Sequence, residues 1–199
     1  MKLILATRNE GKKVELIRLL EGLGIEVESL ADHPEIGEII EDGDSFTANA
    51  LKKAREVAVA TGGWVLADDS GLVVDALGGE PGIHSARYAG KQGDYKANNE
   101  KLLSEMAQVS DGERSARFVC QMALISPDGR EWTAKGVCEG EIARDYSGSE
   151  GFGFDPLFYI PQKGKTMAEL PMDEKNVISH RGRALSKIKD ILVEICAKN

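Results

Sequence analysis

Val65-Leu-Ala-Asp-Asp-Ser-Gly-Leu-Val-Val-Asp-Ala-Leu-Gly-Gly-Glu-Pro-Gly-Ile-His-Ser-Ala-Arg-Tyr-Ala-Gly90 is the stretch around which the rest of the chain is organised. A short apolar run, Trp64 to Ala67, stops at two adjacent carboxylates, Asp68 and Asp69, and Ser70-Gly71 leads into a second β-branched run. This pattern predicts a strand that ends in the acidic pair and places its charge at a sheet edge, outside the core. Successive residues of an extended strand point to opposite faces, so the two carboxylates should do different jobs. One can bond to scaffold while the other faces a cleft that holds a divalent cation or a water. Gly78-Gly79, Pro81-Gly82 and Gly90 add backbone entropy costs that core packing does not explain.

Upstream, Leu3 to Ala6 reads as a strand, Thr7-Arg8-Asn9-Glu10-Gly11-Lys12 as a loop, and Val14, Leu16, Ile17, Leu19 and Leu20 as a helix. The N-terminus of that helix offers unpaired N–H groups, with Thr7 or Asn9 as the cap. Lys12 and Lys13 oppose the helix dipole there unless an anion binds. Ile25 to Glu28 alternates as a half-buried strand. The acidic segment Asp32 to Asp44 reads as a solvated loop able to bring one carboxylate to a site. Asp44 or Ser45 caps a helix with Phe46, Ala50, Ala54, Val57 and Ala58 on one stripe. Asn49 and Lys53, four apart, share another face of it, and Gly62-Gly63 ends it.

Downstream, Leu102, Leu103 and Met106 mark a modest helix. Arg114 to Ile125 and Glu131 to Val137, joined by Ser126-Pro-Asp-Gly129, read as a long hairpin whose Arg114 and Arg117 are solubility charges on an edge strand. In Gly151-Phe-Gly-Phe-Asp155 two aromatic rings flank a glycine beside a carboxylate, a pattern suited to stacking on a planar ring whose N–H groups the Asp accepts. A last helix starts near Ser179, and Lys175, His180, Arg181 and Arg183 crowd its beginning, which suits a phosphate or a base carbonyl better than it suits the helix.

The 199 residues fit one α/β domain over 1–199, with a hairpin-containing lobe around residues 112–140. The net charge of −8 argues against binding polymeric nucleic acid, though a local basic cluster can still focus potential on a small anion. No stretch reaches the length of a membrane span, and the opening Met-Lys-Leu-Ile-Leu does not read as a signal peptide, so no membrane partner and a cytoplasmic location are expected. Cys120, Cys138 and Cys196 lack CxxC spacing and read as buried, reduced side chains.

Six segments taken together, Thr7-x-Asn9-x-x-Lys12, Phe46-x-x-Asn49-Ala50-x-x-Lys53-Ala54, Ala67-Asp-Asp-Ser-Gly71, Pro81-Gly-Ile-His-Ser-Ala-Arg87, Gly151-Phe-Gly-Phe-Asp155-Pro and Lys175-x-x-x-x-His180-Arg181-Gly, resemble the non-canonical purine nucleoside triphosphate pyrophosphatases, the inosine triphosphatase or Ham1-like family. The resemblance runs from residue 3 to about residue 192 with the motifs in the family's order. It implies a mixed central sheet flanked by helices, with two lobes around an active-site cleft. It also implies a homodimer, a need for Mg2+, and cleavage of dITP, ITP or XTP to the nucleoside monophosphate and pyrophosphate. By the same resemblance, Thr7, Asn9 and Lys12 meet the phosphates, Arg8, Glu10, Gly11, Asn49 and Lys53 are further substrate-binding positions, and Ser70 touches substrate. Asp69 would be general base and metal ligand, with Glu41 and Asp68 as further acidic positions. Phe152, Gly153, Phe154 and Asp155 would form the purine turn, and Lys175, His180 and Arg181 would read the base. Phe154 and His84 stand where family members often carry Tyr. A Maf-like pyrophosphatase for other modified nucleotides is the alternative, and the Phe-Gly-Phe-Asp turn and the Lys175 to Arg181 segment argue for purines instead.

Overall fold

The computed structural model describes residues 1–196. Its strands are β1 (Lys2–Leu5), β2 (Glu26–Ser29), β3 (Trp64–Val74), β4 (Ser115–Ile125), β5 (Glu131–Ile142), β6 (Phe158–Ile160) and β7 (Lys165–Thr166). Its helices are α1 (Glu10–Leu20), α2 (Phe46–Thr61), α3 (Tyr95–Glu105), α4 (Met172–Ile178) and α5 (His180–Cys196). Among the described residues the strands form one seven-stranded sheet, ordered β2-β1-β3-β4-β5-β6-β7. β1 runs parallel to β2 and β3, whereas β6 is antiparallel to β5 and β7, so the sheet is mixed and the fold is α/β as expected.

The chain divides into two compact units. The first contains residues up to Asp69, Cys120–Gly136 and the stretch from Arg181. Within it β1, β3 and β4 are buried on both faces, which explains why they read as nearly unbroken apolar runs. Leu3 and Leu5 of β1, Leu66 of β3, and Met122 and Leu124 of β4 meet Leu16 and Leu20 of α1 and Leu185, Ile188 and Leu192 of α5. The residues of opposite parity, Ile4, Val65, Ala67, Ala123 and Ile125, meet Ala50, Ala54 and Val57 of α2. Ser45 caps α2 by accepting the Ala48 N–H at 3.2 Å, and Gly62, at φ 64°, closes it in a left-handed conformation that disfavours side chains with a Cβ.

The second unit, Ser70–Val119 and Val137–His180, has its own core of Leu72, Val74, Leu102, Phe118, Leu157 and Phe158. Asn98 of α3 accepts the Ala89 N–H at 2.7 Å and donates to the carbonyls of Ser85 and Ala86, fixing the glycine-rich connection that follows β3.

Three expectations change. β3 does not stop at the acidic pair but continues through it to Val74, because cations and an amide meet both carboxylates there and buried charge with partners is compatible with a strand interior. Arg114 is no edge charge, since β4 lies between β3 and β5. It is 5% exposed and donates to the carbonyls of Met106, Val109, Ile142 and Ala143. Arg117 instead pairs with Asp75 and Glu139. Lys175, expected just ahead of the last helix, lies on a separate short helix, α4. Cys120 and Cys138 are buried, and the Cys196 side chain lies outside the described residues.

Candidate active site

The parity of β3 determines what each carboxylate meets. Asp68 has the parity of Leu66, whose neighbours are α1 and α5, and its partners come from those helices. Lys12 Nζ lies 3.0 Å from Asp68 Oδ2, and Arg181 of α5 approaches the same oxygen at 3.4 Å through Nε. The guanidinium of Arg181 is also in contact with Glu15 of α1, giving a group of two acids and two bases in which Glu15, Asp68 and Arg181 are buried and Lys12 is partly exposed. Burial disfavours the Arg181 charge, but Glu15 and Asp68 outweigh it and hold its pKa above the ordinary arginine value. At the start of α1, Asn9 is the cap, accepting the Lys12 N–H at 3.1 Å, while Thr7 Oγ1 accepts the Asn9 N–H at 3.1 Å. Thr7 and Asn9 thus shape the turn that delivers Lys12.

Asp69 has the parity of Ala67 and meets α2. Asn49, fully buried, donates Nδ2–H to Asp69 Oδ2 at 3.1 Å and accepts the Gly43 N–H on Oδ1 at 2.8 Å. One amide therefore ties the strand to the acidic loop, and a Cβ at Gly43 would lie 2.7 Å from that Oδ1. Lys53, one turn after Asn49, places Nζ 3.7 Å from Asp69 Oδ1 and in contact with Glu41 Oε1. Burial alone would lower the Lys53 pKa, yet the carboxylates of Asp69, Glu41 and Asp68 raise it above the ordinary lysine value. For Asp69 burial dominates and raises the pKa, against the pull of Lys53 and Lys12.

Glu41 and Asp69 are hard oxygen donors that face one cation, which suits Mg2+, an ion commonly held by one or two carboxylates together with substrate phosphates. Among the described residues no group of three His, Cys, Asp or Glu side chains is arranged to hold a metal, so any such ion needs ligands besides protein carboxylates. Asp68 is already engaged by two cations and fits that role less well.

In the second unit, Asp155 Oδ2 accepts the Phe152 N–H at 2.8 Å and the Lys175 ammonium at 2.6 Å, closing the turn on itself. Phe152 is half-buried, with Lys175 Nζ 5.3 Å from its ring centroid and the Tyr95 ring 5.9 Å away. Phe154 departs from expectation: its side chain is 5% exposed within the core, so only Phe152 offers a ring for stacking. His180 is 4% exposed and stacks on Phe118 at 4.7 Å.

Of the other expected residues, Arg8 donates to the carbonyls of Leu30 and Ile36 and so holds a loop. Glu10 is exposed in the first turn of α1, Gly11 follows it, and Ser70 follows Asp69 on β3. His84 is exposed. Sequence reasoning missed Glu15, Tyr95 and Asn99. Asn99 donates Nδ2–H to the Gly153 carbonyl at 2.9 Å, and Tyr95 precedes it by one turn of α3. Polar residues at buried positions of α1 and α3 were the available signal, visible only once the helical phase was fixed.

Residues 3–191 match the Ham1 family. The dITP/XTP pyrophosphatase of Desulforamulus reducens is 53% identical over 192 residues, covering 96% of each chain. That of Geobacter sulfurreducens is 52% identical over 191 residues with the same coverage. Among solved structures, a HAM1 protein from Coxiella burnetii superposes with a TM-score of 0.87 at 41% identity, over 98% of this chain and 99% of that one. The Staphylococcus aureus Ham1 protein gives 0.86 at 38% identity with the same coverage. Matched along nearly its whole length by both sequence and fold, the chain belongs to the Ham1 family.

Proposed function

We propose that this chain hydrolyses dITP, ITP and XTP to the nucleoside monophosphate and pyrophosphate, removing damaged purines from the nucleotide pool. The observation that carries the reading is the buried Asp69, braced by Asn49 and faced by Lys53 and Glu41, in a chain whose relatives are dITP/XTP pyrophosphatases. In this reading Lys12, Lys53 and the N-terminus of α1, shaped by Thr7 and Asn9, offset the triphosphate charge. Glu41 and Asp69 would hold Mg2+, which supplies further neutralisation of phosphate charge when bound. The Asp69 carboxylate accepts a proton from the attacking water, the water oxygen joins the α-phosphorus, and the bond to the bridging oxygen breaks as pyrophosphate leaves. Asn49 keeps the carboxylate oriented during that step.

The Phe152 ring would stack on the purine and Lys175 would donate to its 6-oxo group. An adenine amino group at that position would set donor against donor, which disfavours ATP. We further read the enzyme as a cytoplasmic homodimer that acts on free nucleotides, not on nucleic acid or membranes. No helix among the described residues is long and apolar enough to cross a membrane.

The test is product analysis with dITP, ITP, XTP, GTP and ATP, with and without Mg2+. Expected is Mg2+-dependent release of pyrophosphate, with ATP and GTP at least about 100-fold poorer in kcat/KM, or roughly 2.7 kcal/mol. Equal rates on ATP, or orthophosphate as first product, would overturn it.

A further inference from the structure

The acidic pair assigned to the metal already contains a positive charge of the protein's own. Lys53 Nζ lies against Glu41 and 3.7 Å from Asp69, with only 9% of its side chain exposed. One ammonium offsets half of the charge that two carboxylates bring. A divalent ion would offset all of it, but it cannot share this space, because like charges within a few ångströms in a buried setting repel strongly.

The surrounding contacts divide into a fixed set and a movable one. Asn49 holds Asp69 Oδ2 on one side and the Gly43 N–H on the other, so the Asp69 carboxylate and the loop backbone two residues after Glu41 are tied together independently of Lys53. Lys53 reaches the pair through four flexible methylenes, and its head can leave without disturbing α2.

From this geometry we infer that the Lys53 ammonium is a resident counter-cation of the Glu41–Asp69 pair, that a divalent ion binds in exchange for it, and that the released ammonium then meets the triphosphate. The inference rests on the reading above that these two carboxylates hold the metal. It makes Lys53 a placeholder before substrate arrives and a phosphate ligand afterwards. Metal binding to the nucleotide-free protein is then weak by construction, since each ion must displace a paired charge.

The experiment is calorimetric titration of Mn2+ and Mg2+ into nucleotide-free wild type, Lys53→Met, Glu41→Gln and Asp69→Asn. Lys53→Met should bind Mn2+ about tenfold or more tightly than wild type. Its melting temperature should fall in EDTA and recover with Mg2+ by more than the wild-type increment. An unchanged or weaker affinity in Lys53→Met overturns the inference, as does a lack of metal binding by both chains. If instead wild type binds metal and Glu41→Gln and Asp69→Asn leave that binding intact, the ion lies elsewhere and the underlying reading fails.

A second measurement uses the unaltered chain and decides the matter even if Lys53→Met does not fold. Limited acetylation followed by mass spectrometry should show Lys53 modified several-fold faster with Mg2+ than with EDTA, as the ammonium leaves its buried pair. Equal or slower labelling of Lys53 with Mg2+ would overturn the exchange.

Discussion

Asp68 and Asp69 are consecutive on β3 yet belong to different layers: Asp68 accepts Lys12 and Arg181, whereas Asp69 accepts Asn49 and faces Lys53. Identical chemistry one residue apart should therefore produce opposite mutant phenotypes. Asp69→Asn keeps its size and its amide neighbour but loses the proton acceptor, so kcat should fall about 100-fold or more with little loss of stability. Asp68→Asn leaves Arg181 and Lys12 with one carboxylate between them, which should cost about 3 kcal/mol of stability. Urea denaturation and steady-state kinetics on both variants check this. A fully active Asp69→Asn, or a wild-type midpoint for Asp68→Asn, contradicts the division of roles.

The sequence carried much of this arrangement for a physical reason. Strand alternation alone separates Asp68 from Asp69, and helical spacing alone puts Asn49 and Lys53 on one face. The capping of α1 and α2 was equally legible, because Asn9 and Ser45 are side chains that solve a local problem of unpaired N–H groups. What did not show was anything set by distant partners. β3 continues through two acids only because α1, α2 and α5 bring counter-charges to it. Phe154 looks like a stacking surface in the one-dimensional pattern, and only the core around Leu157 and Phe158 claims it. Arg181, grouped by sequence with Lys175 and His180 as an expected base reader, lies in a different compact unit from both, paired with Glu15.

Asn99 fixes the Gly153 carbonyl from a helix 54 residues away in sequence, so it should affect substrate affinity without touching the reacting phosphates. Asn99→Leu removes that donor and should raise KM for ITP about fivefold to tenfold while kcat changes by less than about twofold. A proportional loss in kcat at constant KM would show that the turn is not what Asn99 supports.

Arg114 tests the converse, a conspicuous cation with no part in the chemistry. Among the described residues its guanidinium bonds only to carbonyl oxygens, including that of Met106 just past the end of α3, where a positive charge also suits the helix dipole. Arg114→Met should lower stability by roughly 2 to 4 kcal/mol. The folded fraction should retain the wild-type kcat/KM. Loss of activity in protein shown to be folded by circular dichroism would contradict a purely structural role.

His33 bridges Glu28 at 3.0 Å and Glu35 at 3.1 Å. Burial works against its charge, but the two carboxylates outweigh burial and raise its pKa above the ordinary histidine value of about 6.5. A group whose folded pKa is raised contributes stability that is fully present below the unfolded pKa and is lost as pH rises through the folded one. His33→Gln should thus lower the melting temperature at pH 5.5 and change it little at pH 9. An equal effect at both values would show that the imidazole stabilises by packing instead of charge.

Lys12 and Lys175 allow the two proposed tasks, phosphate binding and base reading, to be tested separately. Lys12 sits at the start of α1 beside Asp68, and every triphosphate presents the same phosphates to it, so Lys12→Ala should weaken ITP, XTP, GTP and ATP by similar factors. Lys175 is paired with Asp155 and lies by the Phe152 ring, where its protons would meet a 6-oxo group. Lys175→Met should cut ITP and XTP turnover more than ATP turnover, narrowing the ratio by about 1 to 3 kcal/mol. Because removing Lys175 leaves Asp155 buried with one partner fewer, each variant's melting temperature must be measured alongside kcat/KM, so that unfolding is not mistaken for a change in preference. Arg181→Ala supplies the contrast: bound to Glu15 and Asp68, it should lower stability and depress all four substrates together. If Arg181→Ala shifts the base preference while Lys175→Met leaves it unchanged, the donor to the 6-oxo group is the guanidinium and the roles of the two cations are reversed.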